Sequence, residues 1–378
     1  MKLCSLFLAA LLSSTSHIAQ NATPADAMAL EQQQKWAEAA EAWKGFTARN
    51  PSDAAAFASL GLDLAREQRY EDAIAAYRKA LRLSPQLPGL QLNLGLAEFK
   101  QGHFSAAAVA LRAALTADPS SMQAQTLLGM SYYGARKFDL ASKYLEAASK
   151  ADPANAELHQ MLAQSCLWAK KMDCARDEFR ALLQQSPDSA PTHMLMGQAL
   201  DGLGKTPEAI AEFQAAAKIS PKEPNVHFGL GYLYWKSQQY DEARKEFEQE
   251  LVLDPDSAYP LAYLGDIEWK NNHPDDAVPL LQRSLALKKD LRLAHLDLGA
   301  IYLERKNYKE AESALAQAIK LEPNQPDAHY QMGRLYQATG RTADAEKELK
   351  MVRELHQKAD ENLAGKMPVP AQKPDDQN

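Results

Sequence analysis

Apolar and polar residues repeat along this chain with a period of 34, and about ten copies follow one another without insertion or deletion. One alanine recurs in every copy, at Ala39, Ala73, Ala107, Ala141, Ala175, Ala209, Ala243, Ala277, Ala311 and Ala345. Twelve residues earlier stands a glycine in eight copies, and Ala27 or Ala163 in the other two. A fixed period of this length predicts a solenoid, in which each unit buries its apolar face against its neighbours.

Each copy predicts two helices. In the seventh copy, Leu230, Leu233 and Tyr234 mark the first helix, and Tyr240 and Phe247 lie on the second. The recurring glycine and alanine are expected where the two helices touch, because small residues let the backbones approach closely. A proline twelve residues after the alanine ends the second helix in eight copies. The fold class is therefore predicted to be all-α.

The repeated pattern resembles the tetratricopeptide repeat. The second copy carries the residues of this motif at Phe57, Leu60-Gly61, Ala73, Tyr77, Ala80 and Pro85. The resemblance implies a right-handed α-solenoid of about ten helix-turn-helix repeats with a C-terminal capping helix. Residues 20–53 form a degenerate first repeat, 54–357 form repeats two to ten, and 358–365 end the capping helix.

The two ends of the chain differ from the repeats. Residues 1–19 begin with Lys2 and a short apolar run from Leu3 to Leu12, followed by small residues, which is typical of a signal peptide. We therefore expect an exported protein, periplasmic or secreted, and a cytoplasmic one if this leader is not a signal peptide. Residues 366–378 are rich in proline and polar residues, and we expect them to be disordered.

Composition argues against several classes of protein. The net charge is −7 and no helix carries a basic stripe, so nucleic acid is not expected as a partner. No apolar stretch approaches the roughly 20 residues that span a bilayer. No phosphate-binding loop, nucleophile elbow or zinc-binding helix motif occurs, so neither catalysis nor a cofactor is expected.

Three cysteines occur, and Cys4 lies in the predicted signal peptide. Cys166 and Cys174 lie almost symmetrically about the turn of the fifth repeat. They form either a disulfide, which export would favour, or two semi-buried thiols. The directions of their Cβ atoms decide which of the two occurs. A metal site is not expected, since two thiols without paired histidines do not make a zinc site.

Five histidines share one position of the repeat, namely His159, His193, His227, His295 and His329. Successive repeats lie on the order of 10 Å apart, too far for side chains at one position to converge on a metal ion. The family places a bulky packing residue at this position, and a packing role is expected for these histidines.

In proteins of this family, the second, fifth, ninth, twelfth and thirteenth positions of each first helix line a groove. The resemblance places a partner-binding groove here at Leu92, Leu96, Phe99, Met130, Tyr133, Trp168, Met194, Phe228, Tyr232, Trp235, Tyr259 and Trp269, with Leu167, Leu293, Leu296 and Leu303 at further groove positions. So many aromatic and methionine residues are unlike a solvated face, and the aromatics cluster in repeats five to eight. Packing of some of them between neighbouring helices is the alternative.

We therefore expect a non-catalytic scaffold that holds a peptide or helix of another protein in its groove. Two alternatives remain: an assembly subunit of a cell-envelope export or pilus-type machine, and an accessory subunit of an enzyme. The eighth repeat is either the place of a bend or a repeat that tolerates a defect, because Pro279 falls inside its second helix and Lys289 replaces its closing proline.

Overall fold

The computed structural model describes residues 22–364, and these form twenty α-helices without a strand. The first ten helices are α1 Pro24–Gln32, α2 Trp36–Arg49, α3 Ala54–Arg66, α4 Tyr70–Leu83, α5 Leu90–Lys100, α6 Phe104–Ala117, α7 Met122–Gly134, α8 Phe138–Ala151, α9 Ala156–Trp168 and α10 Met172–Gln185. The other ten are α11 Ala190–Gly202, α12 Thr206–Ile219, α13 Val226–Lys236, α14 Tyr240–Leu253, α15 Ala258–Lys270, α16 Pro274–Leu287, α17 Arg292–Glu304, α18 Tyr308–Leu321, α19 Pro326–Ala338 and α20 Thr342–Ala364. The predicted all-α class and the C-terminal helix are confirmed.

The helices form ten pairs, and the chain divides into two compact units between Pro187 and Asp188. Unit one contains α1–α10 and unit two contains α11–α20. Within each unit every helix packs against the next one in sequence, and first helices of successive repeats also touch. None of the described helices has both the length and the apolar content that a membrane crossing needs. The predicted signal peptide and the predicted tail lie outside the described residues.

The two helices of a repeat meet at a small residue. We number positions within a repeat so that the recurring glycine is position eight and the recurring alanine is position twenty. A Cβ atom added at Gly61 would lie 2.5 Å from the Tyr77 ring, and one at Gly129 would lie 2.8 Å from Leu145. Tyr77 and Leu145 both occupy position twenty-four, on the second helix. The predicted close approach of the two helices therefore occurs at position eight.

The turn between the two helices also repeats every 34 residues. Its residue at position fifteen has a left-handed φ, between 56° and 77°, at Gln34, Gln68, Gly102, Arg136, Lys170, Gly204, Gln238, Asn272, Lys306 and Gly340. The next residue donates its N–H to a carbonyl four residues before the left-handed one, as Lys171 does to Cys166 at 2.8 Å. This bond closes the first helix in the manner of a Schellman motif. Glycine fills only three of the ten positions, so the sequence marks this turn weakly.

The five recurrent histidines join parts of their own repeats. In four of them Nδ1 lies 2.5–2.6 Å from a glutamate nineteen residues later on the second helix, in the pairs His159–Glu178, His193–Glu212, His227–Glu246 and His329–Glu348. Nε2 of three of these lies 3.0–3.1 Å from the carbonyl of the proline six residues earlier. In repeat nine, Ala314 replaces the glutamate, and His295 contacts only the Lys289 carbonyl, at 2.9 Å. The position therefore packs and links the two helices.

Repeat eight keeps its helices despite its prolines. Pro279 is exposed and lies inside α16, which runs from Pro274 to Leu287 as one helix. Pro260 lies in the first turn of α15, where the missing N–H interrupts no helical hydrogen bond. The boundary between the compact units lies between repeats five and six.

Cys166 and Cys174 form a disulfide in the structure. Cys166 is near the end of α9 and fully buried, and Cys174 is in the first turn of α10. Their Cα atoms lie 5.8 Å apart, within the range that a disulfide requires. The bond therefore joins the two helices of repeat five across their turn.

A buried carboxyl group and a half-buried one lie side by side between repeats one and two. Asp63 on α3 is fully buried, and neither of its carboxylate oxygens accepts a hydrogen bond from a protein donor. Glu31 at the end of α1 lies against it and accepts a hydrogen bond from Trp43 Nε1 at 2.7 Å. Burial, and then the Glu31 carboxylate, raise the pKa of Asp63 to about 7. A proton on Asp63 can thus be donated to Glu31.

A substitution at position eight tests the helix contact. We expect Gly129→Val to lower the free energy of unfolding by about 1–3 kcal/mol, because the new side chain overlaps Leu145. Urea denaturation of the purified chain measures it. Gln123→Val, at an exposed position of the same helix, is the matched control and should cost only a few tenths of a kcal/mol. Equal losses in both variants would contradict the contact.

Asp63 should make stability depend on pH. Its folded pKa of about 7 lies above the unfolded value of about 3.9, so the folded state binds a proton more tightly than the unfolded state does. Stability should therefore fall as pH rises from about 4 to about 7, with a slope of up to about 1.4 kcal/mol per pH unit. In Asp63→Asn this contribution should be lost, so stability should fall less steeply over this pH range than in the unmodified protein, whereas exposed Asp360→Asn should leave the profile unchanged; urea midpoints between these pH values measure both. A profile that Asp63→Asn leaves unchanged would show that Asp63 is not the group.

The disulfide is testable by mass spectrometry. We expect protein from an oxidising compartment, alkylated without reduction, to yield a linked peptide that contains Cys166 and Cys174. Reduction should lower the thermal midpoint, because the bond restricts the unfolded chain. Free alkylated thiols at both positions would contradict the bond.

Candidate protein-binding site

The predicted groove residues of unit two lie on its first helices. Met194 is on α11, Phe228, Tyr232 and Trp235 are on α13, and Tyr259 and Trp269 are on α15, while Leu293 and Leu296 follow on α17. Tyr259 is exposed, at 46%, and the other seven are half-buried. This surface is called the first-helix face below. The repeat dictates it, because positions two, five, nine and twelve fall on one side of a helix.

Three of the predicted residues line one cavity of about 440 Å³, which we call the α11–α13 pocket. They are Met194, Phe228 and Tyr232. The side chains of Gln198, Asp201 and Asn225 add polar groups to the lining, which is completed by Phe213, Gly229 and Leu233. An apolar cavity with a few polar groups is the usual form of a site that takes an apolar group in a fixed orientation.

The pocket depends on Phe213, a buried residue of α12 at position twenty-four of repeat six. Its ring would lie 2.6 Å from a Cβ atom at Gly197 and 2.2 Å from one at Gly229. Gly197 is the position-eight residue of the same repeat, whereas Gly229 belongs to α13 of the next. The ring therefore fills the space that both glycines leave open. Sequence reasoning did not single out Phe213 or Gly229 for this site.

A cluster of aromatic rings stabilises the wall beyond this pocket. Tyr263 on α15 is its centre, with ring centroids 4.9 Å from Trp235, 5.3 Å from Phe247, 5.9 Å from Tyr232 and 6.0 Å from Phe228. Burial raises the pKa of the Tyr263 hydroxyl. Tyr263 lies at position six, outside the predicted set, and its aromatic character was the only signal. Packing between neighbouring helices therefore uses part of the predicted groove.

Trp235 is held in place by hydrogen bonding and charge. Its Nε1 donates to Asp266 at 2.5 Å, and Lys270 donates to the same carboxylate oxygen at 2.7 Å. The Lys270 ammonium also lies 4.6 Å from the centre of the Trp235 ring. Burial, and then the Asp266 carboxylate, raise the pKa of Asp297 well above its usual range.

A second cavity, of about 330 Å³, lies on the other side of this cluster. Trp235, Tyr259 and Leu293 of the predicted set line it, together with Tyr263 and Arg292. Arg292 forms ion pairs with Glu322, at 3.7 Å, and with Asp327. Its guanidinium group is therefore already neutralised by the protein.

Other predicted residues lie outside both cavities. Leu167 and Leu303 are buried, each 8% exposed, so their placement in the groove was wrong: these leucines point into the helix packing. Trp269 packs against the core around α15 and α17, and Leu296 packs against the core around α18 and α19. Neither lines a cavity.

In unit one the predicted residues are more dispersed. Leu92, Leu96 and Phe99 on α5 and Met130 and Tyr133 on α7 are half-buried. The Tyr133 hydroxyl donates a hydrogen bond to the side chain of Gln164 on α9. The polar group of Tyr133 is therefore already bonded within unit one. Trp168, the last residue of α9, is 60% exposed and stacks on Phe138.

A larger cavity, of about 680 Å³, is in unit one. It is lined by the loop from Pro85 to Gly89 and by small residues at the end of α6, and Leu92 is its one member from the predicted set. Because it lacks aromatic side chains, we favour the α11–α13 pocket as the candidate binding site.

One group of metal-ligating residue types comes together among the described residues: Glu268, His273 and Asp276. Glu268 already accepts hydrogen bonds from Arg244 and His273, and Arg244 lowers the pKa of its carboxyl. The same arrangement recurs in unit one as Arg78, Glu98 and His103. It therefore links successive repeats, and we do not assign it as a metal site.

Comparison with known proteins agrees with this architecture. A tetratricopeptide repeat model matches residues 92–136, 126–190, 194–258 and 264–328. A second one matches 302–366, and a TPR repeat model matches 61–102. No curated protein matches the sequence.

Solved structures match as well. The Cut9–Hcn1 hetero-tetramer of the APC/C is 15% identical over 87% of this chain and 80% of its own, with a TM-score of 0.52, which supports the fold. MamA from MSR-1 is 27% identical over 44% of this chain and 95% of its own, with a TM-score of 0.39. YrrB, described as a TPR protein with an unusual peptide-binding site, is 22% identical over 50% and 97%, with a TM-score of 0.37. The family models match well over half of the sequence, and the chain therefore belongs to the tetratricopeptide repeat family.

Proposed function

We propose that this protein is a non-catalytic scaffold that binds a short segment of a partner protein on the first-helix face of unit two. The tetratricopeptide repeat fold generally mediates protein–protein interactions, and its members are typically not enzymes. One observation supports the position of the site most strongly: Met194 of repeat six and Phe228 and Tyr232 of repeat seven line one apolar pocket.

The chemistry of the pocket indicates what it would bind. Phe213, Phe228 and Leu233 supply an apolar lining for a side chain of the partner. The amides of Gln198 and Asn225 can each donate and accept a hydrogen bond, as a peptide backbone requires. Extended peptides commonly bind through main-chain hydrogen bonds, and pockets that receive single side chains then supply the specificity. An extended segment with one large apolar anchor therefore fits this site.

Export remains part of the proposal. The predicted signal peptide supports it, and so does the disulfide geometry of Cys166 and Cys174, since disulfides persist in oxidising compartments. We propose a periplasmic or secreted scaffold.

Crosslinking and affinity measurements test the site together. A photo-reactive residue at Gln198, on the pocket, should capture one partner protein in the native host. The same residue at Gln249, exposed on α14, should not capture it. Capture from both positions to the same extent would contradict the assignment.

The captured segment then allows a quantitative test. We expect Tyr232→Ala to weaken its binding by about 30-fold, the equivalent of roughly 2 kcal/mol for a central anchor. Gln198→Trp should weaken it comparably by filling the pocket from an exposed position, whereas Gln249→Trp is the matched control. Isothermal titration calorimetry gives the affinities and circular dichroism the helix content. Unchanged affinity in both pocket variants would show that the partner binds elsewhere.

A further inference from the structure

Trp168 is the one tryptophan among the exposed large apolar residues of the described chain, at 60% exposure. It is the last residue of α9, and its ring stacks on Phe138, the first residue of α8, with centroids 6.1 Å apart and planes at 28°. Phe138 in turn contacts the edge of Tyr133, at 6.0 Å. The stack fixes one side of the indole, so Trp168 presents a rigid aromatic surface to solvent.

Four cations adjoin this stack in the sequence. Arg136 and Lys137 immediately precede Phe138, and Lys170 and Lys171 follow Trp168 after one alanine. All four are exposed. Lys171 forms an ion pair with Asp139 at 2.7 Å and a hydrogen bond with Ser142 at 3.0 Å, so the turns of repeats four and five lie side by side.

Most of this positive charge is not neutralised. Among residues 22–364, Arg136, Lys137 and Lys170 have no ion-pair partner. The acidic residues of the same two turns are already engaged, Asp139 by Lys171 and Asp173 by Arg176. An excess of cations around an exposed tryptophan contrasts with a chain of net charge −7.

The backbone restricts where these cations lie. Arg136 and Lys170 occupy the left-handed turn position, with φ of 56° and 59°. Repeats three, six and ten have glycine there. A left-handed conformation is less favourable for a residue with a Cβ atom than for glycine. The stability of the turn therefore gives no reason for arginine and lysine at these two positions.

We propose that Trp168, Phe138 and the flanking cations form a docking surface for an acidic segment of a partner protein that also carries an apolar side chain. This surface lies in unit one and does not use the α11–α13 pocket, so it is a second contact beyond the proposed function. Three unpaired cations on two adjacent turns match a few carboxylates of one segment. Adjacent turns lie on the order of 10 Å apart, which is about three residues of an extended chain.

An acidic protein segment fits this surface better than the other polyanions do. Sequence-independent binding to nucleic acid rests on many phosphate contacts, typically about 6–10, and three free cations are too few. A membrane surface usually needs a second anchoring signal in addition to a basic patch. An exposed tryptophan beside cations instead matches the composition of hot spots in protein interfaces.

Binding of designed peptides to the full chain tests the proposal. The probe is a fluorescein-labelled peptide of about ten residues that alternates glutamate and leucine, and peptides with glutamine or lysine in place of glutamate are the controls. Fluorescence anisotropy at about 50 mM and about 200 mM salt gives the affinity. We expect the acidic peptide to bind more tightly than both controls and to weaken with salt.

Variants then locate the surface. Lys137→Glu with Lys170→Glu, and separately Trp168→Ala, should each weaken binding at least about tenfold. Lys222→Glu with Lys245→Glu, two exposed lysines of unit two, is the charge-matched control and should not. Tyr232→Ala should leave this binding unchanged, which separates failure of this surface from failure of the pocket. Circular dichroism verifies that each variant is folded.

Three results would overturn the proposal. The first is equal affinity for the acidic and the glutamine peptides. The second is an equal loss of affinity in the two charge-reversal pairs. The third is tighter binding of vesicles that contain phosphatidylglycerol, or of single-stranded DNA, than of the acidic peptide, since the surface would then serve a lipid or a nucleic acid.

Discussion

The fold depends on the contact between position eight of the first helix and position twenty-four of the second helix in each repeat. At Gly265, for example, an added Cβ atom would lie 2.6 Å from Leu281. Because the backbone itself forms the contact surface there, the distance between the two helices is fixed within narrow limits. The alanine at position twenty is buried in every repeat, at 0–2% exposure, for the same reason. The first-helix face is built on these pairs.

The candidate pocket depends on that contact, because the position-twenty-four residue of repeat six also forms the floor of the pocket. Phe213 fills position twenty-four of repeat six, where other repeats have leucine, tyrosine, phenylalanine or tryptophan, and its ring also extends beneath Gly229 of the next first helix. A leucine would be too short to reach both glycines. The pocket therefore exists where a large ring at position twenty-four meets a second glycine, and its floor is part of the core. Rigid support of this kind reduces the entropy that a partner must overcome on binding.

Both units contain a buried aspartate beside a second carboxyl group that accepts a hydrogen bond from a tryptophan. In unit one an indole donates to Glu31 beside the buried Asp63, and in unit two an indole donates to Asp266 beside the buried Asp297. In each pair burial and the neighbouring carboxylate raise the pKa of the aspartate, and a protonated carboxyl avoids two negative charges in one apolar site. These groups lie between repeats, so their strongly shifted titration reflects packing and does not indicate catalysis.

The sequence by itself determined the repeat, the two helices of each copy and the positions of their closest contact, because a period of 34 leaves little freedom in how the helices can pack. The predicted groove residues lie on first helices, and most of them are half-buried or exposed. Only the tertiary structure decided which of these side chains form a cavity. Leu167 and Leu303 are buried, Trp235 is held by Asp266, Phe213 lines the α11–α13 pocket from the second helix, and Tyr263 packs against Trp235. The periodicity fixes the side of the helix on which a residue lies, whereas contacts between repeats depend on the size and direction of individual side chains, which vary from copy to copy.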